Sequence, residues 1–284
     1  MKNKLLTTLL ASAMLAIGPS CSTTTPPQVV RPESSEPLAQ REHWQYDLAD
    51  IVKSTVCIKS TATYDNGKSM SKFGSGFVYG SNHNFFWGDD DYYIATNAHV
   101  VNFPDETKYA TSIFDPGTIV KKVSEEFYIV DNARDENSAD DIKLELLVKT
   151  GEEPDTAVLT TKVLATNVPT TKKPLHVSKK YKLAPDFKLM RGDEVILVGY
   201  PLASDNYTTF GKVSATDEEG NFALDLTVNP GNSGGVVFYK DGKGELYLVG
   251  QIGMCLYRSP VCVGIGLGRP VKDLKDIWGL KDNK

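Results

Sequence analysis

Histidine and cysteine are scarce in this chain, which has only four of each among its 284 residues. The sequence contains no Cys-x-x-Cys or His-x-x-x-His spacing, so it lacks the ligand cluster that a zinc site needs. We therefore predict no metal and no cofactor. An excess of basic residues is missing as well: the net charge is −5, which disfavours nucleic acid as a partner.

The sequence has a single long apolar run, and it lies at the N-terminus. Lys2 and Lys4 precede apolar residues that extend from Leu5 to Ile17. This run is too short for a transmembrane helix and is typical of a secretory signal. We predict a signal peptide over residues 1–20 and an exported protein, with a buried first helix as the alternative.

Cys21 follows the apolar run and begins a stretch rich in Pro, Ser, Thr and Glu, which predicts a disordered tether over residues 21–45. A cysteine at this place resembles the lipid-attachment site of bacterial lipoproteins, although the residues at 18–20 depart from the usual pattern. We expect a lipidated Cys21 to anchor the protein to a membrane in the periplasm or cell envelope. Plain cleavage near the same place is the alternative.

From Ile51 onward the sequence is a series of short apolar segments rich in β-branched residues and separated by Gly, Asn and Asp. This pattern predicts an all-β fold, because βαβ units need longer helical segments between strands. A polar stretch near 165–188 divides the strands into two lobes, over 46–170 and 171–284. Only the C-terminus reads as a helix, in which Val271, Leu274 and Ile277 share one face after Pro270.

Ser233 lies within the segment Pro-Gly-Asn-Ser-Gly-Gly, which also satisfies the Gly-x-Ser-x-Gly nucleophile elbow of α/β-hydrolases. That elbow requires a helix after the serine and a histidine later in the chain. Here the serine is followed by a predicted hairpin around Asp241 and Gly242, and no histidine follows His176. The α/β-hydrolase reading is therefore excluded, and a plain structural turn remains as the alternative.

The remaining candidates for chemistry precede the serine. His99 stands at the end of the apolar segment YYIATNAHVV, while His43, His83 and His176 occupy polar surroundings. Asp155 begins a small apolar strand, where a partly buried carboxylate needs a hydrogen-bond donor such as histidine. Asp141 has a similar local pattern and remains the competing acid.

Six segments, in this order, resemble the trypsin-like serine proteases, and within them the Deg/HtrA branch: GSGFV (74–78), ATNAHVV (95–101), DTAVL (155–159), RGDEVILVGYP (191–201), DLTVNPGNSGG (225–235) and GIGLGRP (264–270). The order histidine, aspartate, serine is that of the chymotrypsin triad. The loops at 81–91 and around 131–141 look longer than is usual in the family. A binding domain of the PDZ kind follows the protease in that branch, but the residues after Pro270 suffice only for a short helix, so we expect none.

The resemblance implies two perpendicular six-stranded antiparallel β-barrels with the active site in the cleft between them. It implies that Ser233 is the nucleophile, that His99 is its general base, and that Asp155 orients His99. The amides of Gly231 and Ser233 would form the oxyanion hole. An exported serine endopeptidase that acts on polypeptides is the predicted function. The alternatives are an inactive binding or adhesion lipoprotein of the same fold and a hydrolase that cleaves esters.

The resemblance also places Thr227 near the base of the primary substrate pocket and Ile252 on its wall. Because neither residue is charged, we expect cleavage after apolar side chains of medium size. Asn232 stands where activatable digestive proteases have an aspartate that pairs with a freed N-terminus. An amide cannot form that ion pair, so zymogen activation by that route is disfavoured.

The four cysteines divide into different predicted states. Cys255 and Cys262 flank a short turn, and we expect them to form a disulfide in an oxidising compartment. Cys57 lies in an apolar strand pattern and is predicted to be a buried thiol. Cys21, once lipidated, would be unable to pair.

Overall fold

Strands dominate the computed structural model, which describes residues 42–83, 90–110, 116–130, 141–151, 153–161, 175–184, 186–203, 205–258 and 261–280. The predicted signal peptide, Cys21 and the lobe boundary at 170 lie outside these residues. No helix in the described part of the chain is long and apolar enough to cross a membrane.

Six strands close into a first barrel. The strands of this half are β1 (Thr55–Tyr64), β2 (Ser69–His83), β3 (Asp90–Thr96), β4 (Glu106–Tyr109), β5 (Thr118–Val130), β6 (Ile142–Lys149) and β7 (Ala157–Thr160). Their order is β1-β2-β3-β7-β6-β5, and an antiparallel β1–β5 ladder closes the ring. The short β4 extends the sheet beside β5.

The second half repeats this arrangement. Its strands are β8 (Lys182–Leu183), β9 (Glu194–Gly199), β10 (Tyr207–Thr216), β11 (Phe222–Asp225), β12 (Val236–Lys240), β13 (Leu246–Arg258) and β14 (Val261–Pro270). The order β12-β9-β10-β11-β14-β13 is closed by an antiparallel β12–β13 ladder, and β8 adds a short parallel pairing to β13. The prediction of two six-stranded antiparallel barrels is therefore confirmed.

Alternation along the strands divides most apolar side chains between the interior of each barrel and a core that the two barrels share. In β9, Val195 and Leu197 face the interior of the second barrel, whereas Ile196 and Val198 face a cluster shared with the first barrel. Phe77 and Val158 reach that shared cluster from the first barrel. The uninterrupted apolar run of β9 is thus explained by burial on both faces. This shared core holds the two barrels together beside the candidate site.

The described part of the chain contains three α-helices: α1 (His43–Val52), α2 (Ala98–Val101) and α3 (Lys275–Trp278). Helix α1 was missed by the sequence reading and includes residues 43–45 of the predicted tether. A capping box between Glu42 and Gln45 starts it, and Leu48 and Ile51 bury one face in the shared core.

The predicted C-terminal helix is correct in kind but shorter than expected. A 3₁₀ turn over Val271–Asp273 precedes α3, and Leu274 separates the two. Of the three residues predicted to share one face, Val271 and Leu274 are buried, whereas Ile277 is only half-buried and Trp278 takes the third buried position. The indole of Trp278 reaches the site described next.

Candidate active site

His99 is presented by helix α2 directly after strand β3. Ala98, Val100 and Val101 of this short helix are buried, which fixes its backbone against the first barrel. The side chain of His99 is 47% exposed. The imidazole is therefore held on a rigid turn while it remains accessible to a reacting group.

Asp155 holds His99 through both of its carboxylate oxygens. Oδ2 lies 2.6 Å from Nδ1 of the imidazole, and Oδ1 accepts a hydrogen bond of 2.9 Å from the main-chain N–H of His99. Strands β3 and β7 pair antiparallel with Thr96 opposite Ala157, so the residues that follow β3 meet those that precede β7. This contact orients the ring and leaves Nε2 as the nitrogen that can accept a proton.

Asp141, the competing acid, lies elsewhere. It immediately precedes β6, where its negative charge acts on Tyr128. The pKa of Tyr128 is raised chiefly by burial, and the charges of Glu126 and Asp141 add to that effect. The structure thus brings Asp155 to His99, and the catalytic role of Asp155 stays a prediction.

Buried polar side chains next to the His99–Asp155 pair form a hydrogen-bond network that holds the main chain of Asp155. The Asn97 amide donates to the main-chain carbonyl of Asp155 at 2.7 Å and to Oε1 of Gln251 at 3.3 Å. The Gln251 amide in turn donates to the carbonyl of Gly234 at 3.2 Å. Gln251 therefore connects Asn97, which follows strand β3, with Gly234, the residue after Ser233.

Thr156 links the C-terminal helix α3 to the same group of buried polar residues. Its hydroxyl lies 3.1 Å from the carbonyl oxygen of Thr96 and accepts a hydrogen bond of 2.9 Å from the Trp278 indole. Sequence reasoning missed these supporting residues. The only local signal is that Asn97 and Gln251 interrupt apolar strand patterns, and polar side chains there need buried partners.

The glycines around Ser233 are required by the backbone. In residues 229–235, which we term the serine loop, Gly231 has φ +96° and Gly234 has φ +89°. A Cβ at Gly231 would lie 2.4 Å from the carbonyl oxygen of Tyr200, and one at Gly234 would lie 2.1 Å from that of Ser75. Both the positive φ angles and the close approach exclude larger residues.

The five main-chain amides of residues 231–235 fall into two groups. Those of Asn232, Gly234 and Gly235 donate to carbonyl oxygens at 2.8–3.1 Å. The amides of Gly231 and Ser233 donate to none of the residues that the structure describes. Two main-chain donors next to the Ser233 side chain are therefore available to an acceptor from outside.

The Ser233 hydroxyl donates to the carbonyl oxygen of Gly253 at 3.2 Å. Gly253 lies beside the acid, because a Cβ there would be 3.8 Å from Oδ2 of Asp155. Among the described residues the hydroxyl has no hydrogen bond to His99. The three predicted residues are thus gathered in one place, with Gly253 between the serine and the acid.

The two predicted pocket residues differ in exposure. Thr227 is exposed, whereas Ile252 is fully buried. A Cβ added at Gly266 would lie 3.2 Å from Cδ1 of Ile252, which shows how tightly that side chain is packed. The Ile252 main chain exchanges hydrogen bonds with Gly234 and Gly235, so it holds the serine loop. The assignment of Thr227 and Ile252 to a substrate pocket stays a prediction.

Cys57 is fully buried, and burial raises the pKa of its thiol to about 12. In the β13–β14 ladder, Cys255 is opposite Gly266, and Cys262 is opposite Tyr257. The Cys262 side chain lies outside the described part of the chain, so the Cys255–Cys262 disulfide stays a prediction. The described residues contain no group of three or more His, Cys, Asp or Glu that could hold a metal ion.

A family model described as a trypsin-like peptidase domain matches residues 74–250, which include His99, Asp155 and Ser233. This chain belongs to the trypsin-like peptidase family. The chain is 28% identical over 221 residues to "Probable periplasmic serine endoprotease DegP-like" of Pseudomonas putida (strain W619), a match that covers 75% of this chain and 35% of the relative. It is 29% identical over 180 residues to "Serine protease Do-like HtrA" of Bacillus subtilis (strain 168), a match that covers 57% of this chain and 37% of the relative.

These matches confirm the resemblance to trypsin-like proteases of the Deg/HtrA branch. The chain spans about a third of the length of these curated relatives. A crystal structure of the serine endoprotease from Yersinia pestis is similar at a TM-score of 0.49 and 20% identity, covering 84% of this chain and 66% of that one.

Proposed function

We propose that the protein is a serine endopeptidase in which Ser233 is the nucleophile, His99 the general base and Asp155 the residue that orients the base. The observation that carries the proposal is the pair of bonds from Asp155 to His99, at 2.6 Å and 2.9 Å. A carboxylate that accepts from Nδ1 selects the tautomer with a free Nε2 and stabilises the imidazolium that forms during reaction.

The reaction follows from these positions. His99 Nε2 takes the proton of the Ser233 hydroxyl as Oγ bonds to the carbonyl carbon of the substrate peptide. The carbonyl oxygen becomes an oxyanion that accepts hydrogen bonds from the amides of Gly231 and Ser233, which have no described partner. His99 then protonates the leaving amine, and a water molecule hydrolyses the acyl-enzyme by the same steps.

A second candidate function has one observation in its favour. Because the Ser233 hydroxyl bonds to Gly253 and not to His99, a binding or adhesion protein that keeps the fold without the reaction is the alternative. Catalytic hydrogen bonds are often loose in unliganded proteases and tighten with substrate, so this geometry is compatible with activity.

Labelling with a fluorophosphonate probe separates the two functions. The probe reacts with an activated serine, so the wild-type protein should be labelled and Ser233→Ala should not. A folded wild-type protein that resists the probe would establish the binding function instead. Comparing hydrolysis of unfolded casein with that of an aryl ester then tests whether the activity is proteolytic or confined to esters.

The pocket assignment adds a preference to this function. Thr227 and Ile252 carry no charge, so we expect cleavage after apolar side chains of medium size. Sequencing the products from a mixed peptide library measures this preference. Dominant cleavage after Lys, Arg or Glu would contradict it, because those side chains need a partner of opposite charge or a polar group in the pocket.

We further propose that the protein is exported and that Cys21 carries a lipid anchor. The apolar run before Cys21 and the name of the Pseudomonas relative, a periplasmic endoprotease, support export. Cell fractionation of the wild type and Cys21→Ser tests the anchor. The wild type should sediment with membranes and the variant should be released, whereas a wild-type protein found only in the released fraction would contradict it.

A further inference from the structure

Ser75 is fully buried on strand β2 and makes four hydrogen bonds, two of which join the first barrel to the serine loop. Its hydroxyl donates to the carbonyl of Gly231 at 2.7 Å and accepts from the amide of Tyr200 at 2.8 Å. Its amide donates to the carbonyl of Ser233 at 2.7 Å, and its carbonyl accepts from the Thr96 hydroxyl at 2.8 Å. No other donor arrangement is possible for the hydroxyl, because an amide can only donate and a carbonyl can only accept.

These bonds restrain Gly231 from its C-terminal side, and a second bond restrains it from the other side. The carbonyl of Pro230 accepts a hydrogen bond of 2.5 Å from the amide of Leu202. In a trans peptide the C=O and N–H groups point in opposite directions, so this bond also sets the direction of the Gly231 N–H. Turning the Gly231 N–H would break the bond from Leu202 to Pro230, and Ser75 holds the residues on either side of that bond, through the Gly231 carbonyl and through the Tyr200 amide.

The segment that supplies these partners is itself strained. Leu202 and Ala203 have φ angles of +55° and +49°, in the left-handed region that costs a non-glycine residue about 1–2 kcal/mol. Leu202 is 67% exposed, so burial of its side chain does not account for this conformation. Strained backbone of this kind persists where the surroundings hold it, often at functional sites. Here the Tyr200–Ser75 bond holds the start of the segment.

We propose that Ser75 is a positioning residue that keeps the Gly231 N–H directed at the reacting carbonyl oxygen of the substrate. The proposal rests on the function proposed above, since it assigns a means of alignment to that oxyanion hole. Ser75 touches no reacting atom. Its hydroxyl acts through the Gly231 carbonyl on one side and through the strained 200–203 segment on the other.

The test compares Ser75→Ala with Ser60→Ala. Both serines are fully buried in the first barrel, but the Ser60 hydroxyl has no hydrogen-bond partner among the described residues. Rates are measured with an aryl ester and normalised to the folded fraction from thermal melting. For Ser75→Ala we expect kcat to fall roughly 10- to 100-fold at unchanged KM, less than the 10²–10³ lost when an oxyanion donor is deleted outright.

A change confined to positioning should leave the acid–base pair intact. The midpoint of the pH dependence of kcat/KM should therefore be the same in Ser75→Ala and the wild type, and Ser60→Ala should match the wild type throughout. Should Ser75→Ala fail to fold, Ser75→Cys replaces it, because a thiol is a weaker donor and acceptor at the same place. Its kcat should also be reduced at unchanged KM.

A wild-type kcat in the folded Ser75 variant would overturn the proposal, as would a shifted pH midpoint. Fluorophosphonate labelling keeps this failure distinct from failure of the proposed function. If the wild type is labelled and Ser75→Ala reacts and turns over equally fast, only the positioning role is lost. If the folded wild type is not labelled, the proposed function fails and the positioning role fails with it.

Discussion

The first barrel presents its two candidate side chains, His99 and Asp155, already bonded to each other, whereas the second barrel presents donors that have no described partner. The acid–base pair is closed at 2.6 Å, but the amides of Gly231 and Ser233 are unengaged and the Ser233 hydroxyl bonds to Gly253. One half of the candidate site is thus already bonded, and the other half leaves two main-chain donors open, which the proposed function assigns to a substrate carbonyl oxygen.

This difference has a structural cause. His99 and Asp155 flank two strands that are direct neighbours in one ladder, so the closed first barrel brings them together by itself. The serine loop instead takes its shape from positive φ angles and from bonds to Ser75 of the first barrel. The second half of the site therefore depends on how the two barrels pack, and variants in each half should differ in what they damage.

The largest expected effect is that of removing the candidate nucleophile from the second barrel. Ser233→Ala should lower kcat about 10⁶-fold, as loss of a triad nucleophile typically does, because alanine has no hydroxyl to attack the substrate. Casein and aryl ester hydrolysis measure the loss, and circular dichroism should show an unchanged fold. A variant that retains even a tenth of the wild-type rate would remove Ser233 from its proposed role.

Breaking the completed pair in the first barrel should cost less. Asp155→Asn should lower kcat about 10⁴-fold, because an amide favours the wrong tautomer of His99. Asp141→Asn is the matched control and should stay close to the wild type. If the two variants rank in the opposite order, Asp141 is the acid and the contact between Asp155 and His99 is not catalytic.

Distorting the unengaged donors should have a smaller effect. Gly231→Ala places a Cβ 2.4 Å from the Tyr200 carbonyl oxygen, so the loop must shift, and we expect kcat to fall about 10²–10³-fold. Gly67 also has a positive φ, +75°, but has open space around it. Gly67→Ala should therefore cost only about 1–2 kcal/mol of stability, with kcat unchanged. Equal kcat values in the two variants would show that the serine loop tolerates displacement.

The smallest expected effect is that of removing the hydrogen bond between Trp278 and Thr156, which lies among the buried polar side chains next to the His99–Asp155 pair. Trp278→Phe removes the indole N–H that bonds to Thr156 and should lower the free energy of unfolding by about 0.5–1.5 kcal/mol, with little change in kcat. Trp44→Phe serves as the control, since the indole of Trp44 bonds to Glu42 at the surface. Urea denaturation measures both variants. A greater loss of stability in Trp44→Phe would show that the buried bond contributes little.

Local sequence predicted those features that depend on near neighbours along the chain. Alternating apolar residues indicated the strands, and Pro-Gly-Asn-Ser-Gly-Gly indicated a loop whose glycines the positive φ angles of Gly231 and Gly234 now explain. Helix α1 was missed, although Leu48 and Ile51 stand one turn apart, because the surrounding tether pattern hid its start at Glu42.

Tertiary structure alone decided which distant groups meet. Both Asp141 and Asp155 precede strands, and only the β3–β7 register shows which of them reaches His99. Ser75 and Gly231 are 156 positions apart, and Gln251 and Asn97 are 154 apart. No pattern in a single sequence specifies such pairs, because they arise from the packing of two closed barrels against a shared core. The apolar periodicity and the Pro-Gly-Asn-Ser-Gly-Gly motif determined the strands and the serine loop of this protein. Closure and packing of the two barrels determined which distant residues contact one another.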